Sequence, residues 1–96
     1  MSTLHVVATI PVKPESAELA AGGLGELALA TRDEEGCISY VLYESATVPG
    51  TFVTVEEWRS QDDLDAHLKS DHVAKAFSDF GDHLAGEVVV HPLRLV

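Results

Sequence analysis

One cysteine, one tryptophan and six cations are what this chain is short of, and each scarcity closes off a class of protein. A single thiol, Cys37, rules out an internal disulfide framework or a thiolate metal cluster, and it suits a reducing compartment. The cations Lys13, Arg32, Arg59, Lys69, Lys75 and Arg94 are scattered, against sixteen acids that bring the net charge to -10. Neutralising phosphates takes clustered Lys and Arg, so no nucleic-acid partner is expected. An acidic surface also repels anionic lipid and polyanionic ligands. No run approaches the ~18 apolar residues of a membrane span, and "MSTLHVVATIPV" has neither a basic n-region nor a long apolar h-region. Together these absences predict a soluble, cytoplasmic protein that does not engage a membrane and takes a neutral or weakly charged small molecule.

What remains is enough for one folded domain over residues 1–96, since 46% of the chain is apolar and only four residues are proline. "LHVVATIPV" reads as a first strand, and Pro14 suits the first turn of a helix. Ala17, Ala20, Ala21, Leu24, Leu27, Ala28 and Thr31 recur at helical spacing, which predicts an amphipathic helix from Pro14 to Thr31. "CISYVLYES", the turn signal "ATVPG" and "TFVTVEEW" form an antiparallel hairpin with a longer loop. Ser60 is placed as an N-cap with Asp62 and Asp63 in the first turn, where the helix dipole favours acids. A helix through Lys69 follows, then a kink at "SDH" and continued helical spacing through Val73, Ala76, Phe77 and Phe80. "EVVVHPLRLV" ends the order as a strand whose Pro92 belongs at an edge or bulge.

The order strand, helix, strand, strand, helix, strand predicts an α+β, ferredoxin-like βαββαβ domain with an antiparallel sheet and both helical segments on one face. In "FVTVEEW" the alternation aims Phe52, Thr54, Glu56 and Trp58 to that face and Val53 and Val55 to the other. An apolar outer face calls for a partner, most simply a second copy about a two-fold axis. His67, three residues from Leu64, lies on or beside the apolar stripe of its helix. Glu56, Trp58 and His67 therefore converge on a space between sheet and helices, the usual kind of place for a small-molecule site.

"EEGCISY" followed by "VTVEEWRSQDDLDAHLKSDHVAKAF" resembles the antibiotic biosynthesis monooxygenase family, through Glu35, Gly36, Cys37 and Tyr40, then Glu56, Trp58, Ala66, His67, Ser70 and His72. The resemblance covers nearly the whole chain. It implies a dimeric α+β barrel of two ferredoxin-like subunits, and for some members a monooxygenase that oxidises quinols or polycyclic aromatics with molecular oxygen and no cofactor. The haem-degrading branch is disfavoured: Val7 or Ala8 takes the position of its Asn, His67 that of its Trp and Phe77 that of its His.

A cofactor-free oxygenase must draw electrons from its own substrate, so it needs a base to form the substrate anion and a dry cavity to hold it. Glu56, His67 and His72 are the candidates for the base. Phe52, Trp58 and Phe77 are candidates to wall a flat aromatic ligand, and Tyr40 or Tyr43 to donate to a developing oxyanion. Each has a plainer reading beside this one: Glu56 as a satisfied structural acid, Trp58 as core, His67 as a stripe residue, His72 as a support of the kink, Cys37 as a small buried residue. No metal site is expected, because no His-x-x-x-His spacing occurs and His67 and His72 are five apart, poor for one helix face. A non-catalytic dimeric module binding a small aromatic molecule, or an isomerase of a small oxygenated metabolite, fits the same residues.

Overall fold

A computed structural model describes residues 3–96, so Met1 and Ser2 of the expected domain lie outside it. Strand β1 (Leu4–Pro11) leads through a 3-10 turn at Pro14–Ser16 into helix α1 (Ala17–Arg32). The hairpin strands β2 (Cys37–Glu44) and β3 (Thr51–Trp58) follow, then helices α2 (Gln61–Leu68) and α3 (Asp71–Phe80), and finally β4 (Val89–Leu93). The strands form one antiparallel sheet in the order β2-β3-β1-β4, the ferredoxin-like arrangement the element order predicts. Pro92 sits in the edge strand β4, where the missing N–H costs no ladder bond on the open side.

The kink expected at "SDH" is a full break between two helices. Ser60 caps α2 by accepting from the Asp63 amide at 3.2 Å. Ser70 does more: its hydroxyl donates to the His67 carbonyl at 2.6 Å, closing α2, and accepts from the Val73 amide at 3.4 Å, opening α3. One short side chain thus ends one helix and starts the next at a new angle.

Alternation sorts the sheet as expected. On the covered face Tyr40 stands opposite Glu56, which stands opposite Val6, and Leu42, Thr54, Ala8 and Val90 make the next row. Two clusters fill the core: Val6, Ala28, Tyr40, Trp58 and Leu64 at one end, and Val12, Ala20, Leu24 and Phe52 at the other. The opposite face carries the rows Val41–Val55–Val7–His91 and Tyr43–Val53–Thr9–Val89. No helix among the described residues covers it, and Val41, Tyr43, Val55 and Val89 are exposed.

Gly50 closes the β2–β3 loop at φ 87°. Its amide donates to Glu44 Oε2 at 3.0 Å and its carbonyl accepts from the Val12 amide at 2.8 Å. A Cβ here would lie 2.4 Å from the Val12 carbonyl oxygen, so Gly50→Ala adds a clash to a left-handed backbone. Urea titration is expected to show a loss of about 1–3 kcal/mol. Gly22→Ala, mid-helix with nothing within 4 Å of its Cβ, is expected to gain about 0.5–1 kcal/mol. Equal midpoints for the two variants would contradict this reading of the loop.

Candidate functional site

The covered face and the three helices line a largely apolar cavity of about 70 Å³ that opens to solvent at its mouth. Ala8, Thr54, Glu56 and Val90 floor it, Leu24 and Leu27 of α1 form one wall, and Val73, Ala76, Phe77 and Phe80 of α3 form the other. Phe77, half exposed, stands at the mouth. Tyr40, Leu64 and His67 close the inner end.

Glu56 is 4% exposed, and each of its oxygens accepts a hydrogen bond. Thr54 Oγ1 donates to Oε2 at 2.5 Å and Trp58 Nε1 donates to Oε1 at 2.8 Å. All three side chains share one face of β3 at spacing i, i+2, i+4, so the strand itself builds this buried acceptor and its two donors. These bonds are those of the plainer reading of Glu56, a satisfied acid, and its place in the cavity floor is that of the other. Trp58, fully buried, stands behind the lining with its ring 4.8 Å from that of His67.

His67 Nδ1 lies 2.6 Å from Glu34 Oε2, and His72 Nε2 lies 2.7 Å from the same oxygen. A carboxylate has no proton to give, so both nitrogens donate and Oε2 accepts twice. His67 Nε2 has no hydrogen-bond partner among the described residues. Nor is any buried polar side-chain atom there left both sealed and unpartnered, so Nε2, on a residue that is 4% exposed and lines the cavity, keeps some accessible surface. A neutral imidazole with its proton on Nδ1 carries its lone pair on Nε2.

Tyr40 lies 5.8 Å from His67, ring to ring. Burial first, and then the Glu56 carboxylate, push its phenol well above the ordinary value, so it is a hydrogen-bond donor throughout the neutral range. Burial, with Glu34 and Glu56 adding to it, raises the Cys37 thiol as well, which leaves it a protonated thiol rather than a nucleophile.

Of the residues singled out from sequence, Glu56, His67, Tyr40 and Phe77 line the cavity. His72 joins them through Glu34 and faces a second groove, between α1 and α3. Phe52 and Trp58 are core behind the wall. Tyr43 is not brought to the cavity: three residues from Tyr40, it falls on the opposite face and is 55% exposed. The acid that reaches the site is Glu34; Glu35 points out and pairs with Arg59 at 3.5 Å. Glu34 continues the buried stripe of α1, one helical step beyond Ala20, Leu24, Ala28 and Thr31, and that continuation was its sequence signal.

His67 and His72 do not share a helix, so their spacing of five is no obstacle to their meeting. Glu34, His67 and His72 offer ligand atoms within 4.8 Å of one another, the one such group among the described residues. A tetrahedral zinc with bonds of ~2.0–2.1 Å keeps its ligand atoms roughly 3.3 Å apart. The observed spacing, tighter across each nitrogen–oxygen pair and wider overall, is that of two hydrogen bonds.

Comparison with known proteins agrees with this architecture. Residues 3–79 match the family model described as antibiotic biosynthesis monooxygenase. Rv0793 of Mycobacterium tuberculosis is 35% identical over 89 residues, which is 93% of this chain and 87% of that protein. Its structure superposes with a TM-score of 0.87, covering 99% of this chain and 96% of that one. A crystal structure described as an antibiotic biosynthesis monooxygenase has a TM-score of 0.90 at 30% identity, covering 97% of this chain and 98% of its own. A conserved protein of Methanosarcina mazei Go1 reaches 0.89 at 33% identity, covering 98% and 93%. The fold, the two-helix second segment and these matches together make the chain a member of the antibiotic biosynthesis monooxygenase family.

Proposed function

We propose that this protein is a cofactor-independent monooxygenase that oxidises a quinol-like or polycyclic aromatic substrate with molecular oxygen. The observation that carries the reading is a largely apolar cavity that holds, besides the mutually bonded Thr54 and Glu56 of its floor, one imidazole and one phenol. His67 Nε2 takes the proton of a bound phenol or anthrone. Tyr40 donates to the oxyanion that forms, and the apolar walls keep water from it. The electron-rich anion reduces oxygen, the new C–O bond forms as a hydroperoxide, and loss of water leaves the carbonyl. Of the two oxygen atoms one ends in the product and one in water, and the substrate supplies all four electrons, two as the hydroperoxide forms and two as its O–O bond breaks. Phe77 at the mouth flanks the flat ligand.

The apolar outer sheet face supports a homodimer, formed by burying Val41, Val55 and Val89 against a second copy. Sedimentation at micromolar concentration is expected to give the dimer mass, and a monomer alone would contradict it. The lone unpaired thiol fits a reducing cytoplasm. Oxygen uptake by chelator-treated protein with reduced naphthoquinones and anthrones tests the chemistry. A rate above that of heat-killed protein supports it, and no enzyme-dependent rate across the panel overturns it for these substrates.

A further inference from the structure

We propose that Glu34 is the positioning residue of the site: it holds His67 in its Nδ1–H tautomer, so that Nε2 is the lone pair on the cavity wall, and His72 holds Glu34 in place. As a statement about catalysis this rests on the monooxygenase reading; as a statement about the histidines it does not.

An unconstrained neutral imidazole exchanges its proton between two nitrogens, and only one arrangement leaves Nε2 able to accept. Here the choice is made by Glu34 Oε2, 2.6 Å from His67 Nδ1. Glu34 in turn is fixed from several sides. Its amide donates to the Thr31 carbonyl at 3.0 Å and its carbonyl accepts from the Cys37 amide at 3.1 Å, which sets the turn out of α1. Arg32 Nε donates to the Tyr40 carbonyl at 2.8 Å, tying that turn to β2. His72 Nε2 donates to Oε2 at 2.7 Å from the first turn of α3. The acid is therefore shared between two helices that Ser70 separates, and each helix contributes one N–H. Around His67 the other groups that face it are Tyr40 of β2 and Trp58 of β3, with Glu56 of β3 at the cavity floor. None of these takes the Nδ1 proton. When His67 accepts a proton at Nε2 it becomes an imidazolium whose Nδ1–H already points at a carboxylate. Glu34 thus also stabilises the charged form that the reaction creates.

The test is long-range proton–nitrogen NMR on protein labelled at histidine nitrogen, at about pH 9, well above the ordinary imidazole range near ~6.5. His67→Asn and His72→Asn assign the signals. In the wild type the His67 Nδ1 is expected to carry the proton, with Nε2 bare. In Glu34→Ala the preference is expected to be lost or inverted. Glu34→Gln, whose amide oxygen is still able to accept from Nδ1, is expected to keep it, and this variant also serves if Glu34→Ala fails to fold. A wild-type His67 protonated at Nε2, or an unchanged tautomer in Glu34→Ala, would overturn the proposal. No substrate enters this measurement, so its failure is separate from failure of the oxygenase reading. Where oxygen uptake is found, Glu34→Ala is expected to lose on the order of 10²-fold in kcat, with KM within a few-fold, and Glu34→Gln to recover part of it.

Discussion

Glu56→Ala is expected to lower stability by about 3 kcal/mol, or roughly 10–25 °C in Tm for a domain of this size. The reason is what the substitution leaves behind. Trp58 Nε1 and Thr54 Oγ1 both donate to this carboxylate, and Trp58 is fully buried. The Thr54 hydroxyl is able to turn to another acceptor. The indole N–H has no such freedom, and an orphaned buried donor costs ~1–3 kcal/mol before the vacated volume is counted. Glu56→Gln keeps the shape but sets an NH2 against one of the two donors, so a smaller loss of about 1–2 kcal/mol is expected. Glu57→Ala, one residue along and on the outer face, is expected to change stability by less than about 0.5 kcal/mol. Thermal unfolding of the three variants at one protein concentration checks the order. A Glu56→Ala protein as stable as Glu57→Ala would mean that the buried acceptor contributes nothing.

The second large effect is on turnover. His67→Ala is expected to reduce kcat by roughly 10²–10⁴-fold, the range supplied by a positioned general base, with KM changed far less. Each Glu56 oxygen already accepts a bond from a β3 neighbour and His72 faces the α1–α3 groove, whereas His67 Nε2, on a residue that lines the cavity, has no hydrogen-bond partner among the described residues. His67→Asn separates chemistry from packing, because its amide is able to keep an N–H toward Glu34 while offering no base. A folded His67→Asn protein with the same deficit, partly rescued by added imidazole, is the expected pattern. Full turnover in both variants would remove His67 from the reaction.

Much of this site is legible in the sequence because period-two alternation is unforgiving. Once Trp58 is placed inward, Glu56, Thr54 and Phe52 must follow, and Val55 and Val53 must face away. The caps at Ser60 and Ser70 are equally readable, since a Ser side chain has few other reasons to precede acidic first turns. Depth was harder to read. Alternation says which face Trp58 and Phe52 occupy but not that both stand behind the cavity wall as core. Tyr43 illustrates the same rule used from the other end: separated from Tyr40 by an odd number, it cannot share Tyr40's face in a regular strand. Glu34 and the His67–His72 pair were least legible. Their meeting depends on how far Ser70 turns α3 away from α2, an angle that spacing along one helix cannot express.

The central claim is that the cavity takes a proton from an aromatic ligand through His67, and an anaerobic absorption titration with an anthrone tests it most directly. Without oxygen the ligand is not consumed, and its anion and neutral form absorb differently. At a pH where the free anthrone is protonated, wild-type protein is expected to generate the anion band in proportion to binding, and His67→Asn to bind without it. An anthrone that binds the wild type in its neutral form, or an anion band of equal size in His67→Asn, would contradict the account.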